Sequence, residues 1–137
     1  MSLENIRKKS VVKAPRILAY GPAGIGKSSF GATLENPIFL LTEDGLGTLQ
    51  VDHFPLAKTW LEIKESLTTL LKEKHTFKSL VLDSADWLEP LIWDHVCKEN
   101  DWADIGSAAY GKGYTAALEI WREYIACLLY TSPSPRD

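Results

Sequence analysis

The residues with the clearest chemical potential lie at positions 21–28, which read Gly-Pro-Ala-Gly-Ile-Gly-Lys-Ser. This run fits G-x-x-x-x-G-K-[ST] at every specified position. Glycines let successive backbone N–H groups turn toward an anion, and a helix that begins at the lysine directs its unpaired N–H groups the same way. The pattern therefore predicts a loop that cradles the phosphates of a nucleotide. The alternative is a glycine-rich turn that happens to precede a lysine.

Each position of this loop has an expected part in binding ATP and Mg²⁺. Lys27 would reach the β- and γ-phosphates, which makes it a predicted catalytic residue, and the Ser28 hydroxyl would bind Mg²⁺. The backbone amides around them would hold the remaining phosphate oxygens. The predicted nucleotide-binding residues are Gly21, Pro22, Ala23, Gly24, Ile25, Gly26, Lys27, Ser28 and Ser29.

Two carboxylates follow apolar runs that are typical of buried strands. Residues 38–41 are continuously apolar and lead to Glu43, and residues 80–82 lead directly to Asp83. Ligands of open α/β sheets bind beyond the carboxyl ends of the strands, so both acids should lie at the same edge as the loop. We predict that Glu43 orients and deprotonates the attacking water and that Asp83 binds Mg²⁺. The alternatives are a solvated polar turn at Glu43 and a strand-end aspartate that caps the next helix at Asp83.

The elements that must position these side chains alternate between strands and helices. Residues 16–20, which are apolar after Arg16, predict a first strand, and residues 38–41 and 80–83 predict two more. Apolar residues at helical spacing predict four helices, the second of which begins at the capping pair Thr59 and Glu62. The predicted helices cover residues 27–34, 59–74, 87–98 and a segment from Tyr114 onward, with Leu118, Trp121 and Ile125 on the apolar face of the last.

Length and composition describe one globular domain. The chain has 137 residues, of which 45% are hydrophobic and 24% charged, and its net charge is −3. That negative net charge argues against a protein whose whole surface binds nucleic acid non-specifically. No apolar run approaches the ~20 residues of a membrane helix, and the N-terminus lacks the apolar core of a signal peptide. Cys97 and Cys127 form neither a metal motif nor a disulfide framework. We expect a cytoplasmic protein without a membrane partner.

Basic residues are concentrated near the N-terminus. Residues 1–15 predict a flexible basic arm, which is either a solvated leader to the first strand or an electrostatic contact to nucleic acid. The cations of this region are Arg7, Lys8, Lys9, Lys13 and Arg16. Lys112 lies between two glycines and has two possible interpretations. It either contacts a phosphate or nucleic acid, or it belongs to a solvated turn.

The motifs and their order resemble the RecA-like P-loop ATPases of phage genomes, also known as AAA-domain or phage nucleotide-binding proteins. The matching motifs are residues 21–28, 41–45, 80–84 and 110–114. The resemblance implies an α/β fold with a three-layer RecA-like core and a mostly parallel sheet. It implies a partial P-loop NTPase domain over residues 16–126.

The same resemblance implies ATP and Mg²⁺ as ligands and a role in DNA recombination or single-strand annealing. The implied partners are single-stranded DNA and further copies of the chain. Lys27 and Ser28 match the Walker A pair of the family. Glu43 matches the catalytic glutamate that follows the next strand, and Asp83 matches the Walker B acid.

Residues 127–137 depart from the family pattern. A further apolar strand is expected after the last helix, whereas the sequence ends in a run rich in serine and proline. This run matches the in-frame translation of a sequencing adapter, which predicts a non-native tail and a fold that is incomplete at the C-terminus. The alternative is a genuine, disordered tail. An incomplete sheet would expose strand edges, so we expect these 137 residues alone to be inactive and to be unstable or aggregate.

The predicted activity is a Mg²⁺-dependent ATPase. Two alternatives remain open at the level of sequence. A nucleotide-gated binding module without turnover would need only the loop and Asp83. A small-molecule P-loop kinase would need an acceptor pocket and an arginine-rich lid, and residues 87–113 show no pattern for either.

Overall fold

The computed structural model describes residues 2–6 and 14–131, which contain a small parallel sheet and four α-helices. The strands are β1 (Pro37–Leu41), β2 (Asp52–His53) and β3 (Ser79–Asp83), in the order β2-β1-β3. The helices are α1 (Lys27–Ala32), α2 (Trp60–Lys72), α3 (Ala85–Asn100) and α4 (Lys112–Thr131). Short 3₁₀ turns occupy Leu3–Asn5 and Ala109–Gly111. The prediction of a mixed α/β fold with parallel strands is confirmed.

The central strand β1 is buried on both faces, as its continuous apolar run predicts. Phe39 and Leu40 are completely buried, although their side chains point to opposite faces. The register pairs Leu40 with Leu82 and Leu41 with Asp83. Because β1 and β3 run parallel and in this register, their carboxyl ends lie together at one edge of the sheet.

Helices contact both faces of this sheet. On one face, α1 lies against Phe39 and Val81 through Gly31. On the other face, Leu40, Leu80 and Leu82 pack with the main hydrophobic cluster, which is built from α2, α3 and α4. The most buried apolar residues of those helices are Trp60, Ile63, Leu88, Ile92, Val96 and Ala117.

The capping pair at the start of α2 is confirmed. The Glu62 N–H donates to the Thr59 hydroxyl at 3.2 Å, and the Glu62 carboxylate accepts from the Lys58 N–H at 2.5 Å. These bonds satisfy two backbone donors near the helix start and fix where α2 begins.

The predicted strand at residues 16–20 is wrong. Residues 14–20 have no regular secondary structure, and Ile17, Leu18 and Tyr20 are exposed to 61%, 78% and 88%. An apolar segment becomes a strand only where a neighbouring strand offers its backbone groups for pairing. Among the described strands, β3 pairs with β1 alone and none adjoins residues 16–20.

The buried face of α4 also differs from the prediction. Leu118 and Ile125 are each 46% exposed, whereas Ala117 and Tyr124 are buried and Trp121 is half-buried. Helical spacing alone fits either stripe, since α4 carries apolar residues on more than one side. Packing against α3 and α2 selects the stripe with Tyr124, whose ring contacts Trp60 and Trp121 edge to face. Burial, with a smaller contribution from Cys127, raises the pKa of Tyr124 far above its usual range, so the phenol stays neutral.

The predicted chain ends fall partly outside the described residues. Arg7, Lys8, Lys9 and Lys13 of the basic arm lie outside them, and Arg16 is exposed. At the other end, α4 continues to Thr131, so the first five residues of the predicted tail at 127–137 lie within this helix. Residues 132–137 lie outside the described part. None of the helices in residues 2–6 and 14–131 has the length and apolar character that crossing a bilayer requires.

Candidate functional site

The glycine-rich loop at residues 21–28 adopts a backbone that requires glycine at two positions. Gly24 has φ +81° and Gly26 has φ +103°, conformations that L side chains rarely adopt. A Cβ atom added at either position would meet no atom within 4 Å. The space above the loop is therefore open, and the glycines are required by backbone geometry rather than by crowding.

Close packing of α1 on the sheet carries the loop to the carboxyl edge of the strands. A Cβ atom at Gly31 would lie 3.0 Å from a Val81 methyl carbon and 3.2 Å from the Phe39 ring. The helix sits this close only because Gly31 has no side chain. The result is that the first turn of α1 lies beside the end of β3.

The first turn of α1 contacts the end of β3 through the predicted metal ligands. The Ser28 hydroxyl donates a hydrogen bond of 2.5 Å to Oδ2 of Asp83, and both side chains are partly buried. These residues are 55 positions apart in the sequence. The fold thus brings Ser28 and Asp83 into direct contact.

Lys27 turns back over its own loop. Its ammonium group donates to the Gly21 carbonyl oxygen in a very short hydrogen bond and to the Pro22 carbonyl oxygen at 3.2 Å. The side chain is exposed, so the positive charge stands at the open surface of the loop. Lys27 and Ser28 are the first two residues of α1, so the cation stands at the same helix start as the hydroxyl that contacts Asp83.

Glu43 lies at the same edge of the sheet, one residue beyond the Thr42 backbone N–H that donates to the Asp83 carbonyl oxygen at 2.9 Å. It is partly exposed, and its side chain lies beside Gly45, where an added Cβ would be 3.9 Å from the carboxyl carbon. Its carboxylate makes no hydrogen bond to the residues that the structure describes. A partly exposed, unpaired carboxylate at this edge is free to accept a proton from a ligand or water.

Other candidates are not brought to this region. Lys112 begins α4 and is exposed, and no hydrogen bond or ion pair among the described residues joins it to the loop. An open cleft lined by Ala32, Pro37 and Asp52 lies near the start of β1, away from the carboxyl edge. Within residues 2–6 and 14–131, no three His, Cys, Asp or Glu side chains cluster in a way that could hold a metal. The predicted metal ligands are instead a hydroxyl and a single carboxylate.

The sequence analysis missed one residue of this edge, Thr42. It is buried, with 8% exposure. Its backbone N–H donates to Asp83, the last residue of β3, and its hydroxyl forms two hydrogen bonds with the backbone of Ser84. The available signal was a threonine that directly follows the apolar run of β1. That signal is weak, because threonine is common at the ends of strands.

Comparison with known proteins identifies the family of the chain. The profile of a protein family described as AAA domain matches residues 13–131. The SPbeta prophage-derived uncharacterized protein YorG of Bacillus subtilis (strain 168) is 24% identical over 113 residues, which cover 78% of this chain and 35% of YorG. The chain thus spans about a third of the length of that relative. No solved structure matches the chain. Because the family match covers most of the chain and includes the loop, β1 and β3, the chain belongs to the AAA-domain family.

Proposed function

We propose that the glycine-rich loop binds the triphosphate of ATP together with Mg²⁺, and that the protein hydrolyses the nucleotide. The hydrogen bond between Ser28 and Asp83 carries this proposal. A partly buried hydroxyl and carboxylate from distant positions converge beside a lysine and an open loop, and this convergence contributes nothing to the hydrophobic core. Membership of the AAA-domain family supports nucleotide binding and ATPase activity in general.

The donor set fits Mg²⁺. This ion keeps several waters and is commonly held by one or two protein oxygens together with substrate phosphates. Ser28 and Asp83 would supply those protein oxygens, with the present hydrogen bond marking the place where both side chains meet. The bound ion would neutralise charge that develops on the phosphates.

Lys27 and the loop would bind the phosphates themselves. The Lys27 ammonium already lies at the loop, where carbonyl oxygens of Gly21 and Pro22 occupy it. Phosphate oxygens carry more negative charge than carbonyl oxygens, so a triphosphate would compete for this cation. The amides of the first turn of α1, which a helix leaves unpaired, would add neutral donors.

Glu43 is the proposed residue that orients the attacking water and accepts its proton. Glu43 and Asp83 both lie at the edge of the sheet where the strands end, and the Glu43 carboxylate forms no hydrogen bond or ion pair with the described residues. A general base must come within hydrogen-bond reach of the water whose proton it accepts, and no protein hydrogen bond among the described residues occupies the Glu43 carboxylate.

The proposed core is a three-layer RecA-like one, and helices on both faces of the sheet support it. We also propose a phage origin for this chain, which the prophage origin of YorG supports.

Substitution of Glu43 separates hydrolysis from simple binding. We expect Glu43→Gln to reduce ATP turnover on the order of a hundredfold or more while ATP affinity stays within about twofold, since the amide keeps the shape but cannot accept a proton. Phosphate release and binding of a fluorescent ATP analogue measure the two quantities in the product of the whole gene. Glu65→Gln, at an exposed position on α2, is the matched control.

The outcome also distinguishes the alternative functions. Equal turnover in Glu43→Gln and the wild type would remove Glu43 from the mechanism. Binding without turnover in the wild type would favour the nucleotide-gated module, and transfer of phosphate to a small molecule would favour the kinase.

We further propose that nucleotide turnover is coupled to single-stranded DNA and that the protein acts as a homo-oligomer. The support for DNA coupling is the exposed Arg16, the basic residues of the N-terminal sequence and the prophage origin of the relative. The homo-oligomer is proposed from the resemblance to RecA-like ATPases. We expect single-stranded DNA to bind at low salt and to raise the rate of ATP hydrolysis, with binding that weakens as salt increases. Turnover that is unchanged by DNA, together with no DNA binding at low salt, would contradict this coupling.

A further inference from the structure

Thr42 is a buried polar side chain at the edge of the sheet. Only 8% of Thr42 is exposed, and among the described residues no other non-aromatic polar or charged side chain is buried to this extent. A buried hydroxyl is unfavourable unless it is hydrogen-bonded. Its position between β1 and Glu43 places it at the edge of the sheet where the proposed site lies.

Thr42 forms three hydrogen bonds to the end of β3. Its backbone N–H donates to the Asp83 carbonyl oxygen at 2.9 Å. Its hydroxyl donates to the Ser84 carbonyl oxygen at 2.6 Å and accepts from the Ser84 N–H at 2.8 Å. The Thr42 hydroxyl therefore satisfies both the N–H and the C=O group of Ser84. Ser84 lies just beyond the last paired residues of β1 and β3.

These bonds connect the two acids of the site through one residue. Glu43 follows Thr42 in the chain, and Asp83 precedes Ser84. The Ser84 carbonyl oxygen also accepts from the Leu88 N–H at 3.2 Å, which ties the same point to the first turn of α3. Movement of the Asp83 backbone relative to Glu43 would break bonds to the Thr42 hydroxyl.

We propose that Thr42 is a positioning residue that sets the Asp83 carboxylate relative to Ser28 and Glu43. This inference rests on the proposed function of the same site. Thr42 does not touch the ligand. It holds the turn after β3 in one conformation, so that the Asp83 carboxylate stays beside Ser28 and the protein oxygens for Mg²⁺ are assembled before the nucleotide arrives.

Removal of the hydroxyl tests the proposal. Thr42→Val keeps the size of the side chain and leaves the Ser84 N–H without its acceptor. We expect the Mg²⁺ concentration that half-saturates binding of a fluorescent ATP analogue to rise about tenfold, because the Asp83 carboxylate would no longer be held beside Ser28 before the ion binds. ATP binding in the presence of EDTA should change by less than about twofold, and Thr42→Ser should restore the Mg²⁺ response.

A second measurement needs neither metal nor nucleotide. Hydrogen exchange at the Ser84 amide should be faster in Thr42→Val than in the wild type, while exchange in the middle of α2 stays the same. Ile63→Val is the control for a general loss of stability, since Ile63 is completely buried in α2 away from the site. If Thr42→Val does not fold, Thr42→Ala removes the hydroxyl without crowding and tests the same expectation.

The outcomes separate this inference from the proposed function. An unchanged Mg²⁺ response in Thr42→Val, or an equal shift in Ile63→Val, would overturn the positioning role while nucleotide binding stands. A wild-type protein that binds no ATP would contradict the proposed function. In that case, unchanged exchange at the Ser84 amide would also show that Thr42 does not hold this turn.

Discussion

Replacement of Lys27 with alanine is expected to abolish ATP hydrolysis. The Lys27 ammonium is the cation that the structure places at the glycine-rich loop, where the carbonyl oxygens of Gly21 and Pro22 accept its hydrogen bonds. Loss of a donor that stabilises developing charge reduces turnover by about 10²–10³-fold in enzymes of other classes. We expect a loss of at least this order, together with weaker ATP binding, since the same cation would contact the phosphates in the ground state.

Two variants make the Lys27 result specific. Lys74→Ala removes one positive charge at an exposed position beyond the end of α2 and should leave turnover unchanged. Lys27→Arg keeps the charge but not the compact ammonium, and we expect it to recover binding better than turnover. Phosphate release and nucleotide titration measure both effects. Full turnover in Lys27→Ala would remove the proposed mechanism.

Substitution of Gly113 is expected to have the largest effect on stability. Gly113 is buried in the first turn of α4, and an added Cβ atom would lie 2.2 Å from the Ile105 carbonyl oxygen and 3.1 Å from its carbon. Both are backbone atoms, so the clash cannot be relieved by rotation of a side chain. We expect Gly113→Ala to reduce the free energy of unfolding by about 3 kcal/mol, measured as a lower midpoint of urea denaturation.

The sign of this effect is diagnostic. In a helix with open space, alanine in place of glycine stabilises by up to about 1 kcal/mol. A loss of stability at Gly113 would therefore report the close contact with Ile105, which holds the loop before α4 against that helix. Gly45→Ala is the control, because its added Cβ would be 3.8 Å from the nearest Glu43 atom, an ordinary contact. Equal effects at Gly45 and Gly113 would contradict the contact as the cause.

Local chemistry made much of this fold predictable from sequence. The apolar runs of β1 and β3 predict buried parallel strands, and both are present within one residue of the predicted start. The capping pair Thr59 and Glu62 predicts the start of α2, because a side chain that satisfies a backbone donor acts within one helical turn. The conformations of Gly24 and Gly26 likewise follow from a local pattern.

Contacts between distant segments were decided by the tertiary structure. The sequence alone determined the motif that contains Lys27 and Ser28 and the acids that follow β1 and β3, since each depends on neighbours in the chain. Only the fold decided that Ser28 meets Asp83, that Thr42 joins the two strand ends, and that residues 16–20 remain unpaired. The physical reason is that strand pairing and helix packing depend on contacts between segments that are far apart in the sequence. An apolar pattern indicates a face suited to burial, but it does not identify the segment that will cover that face.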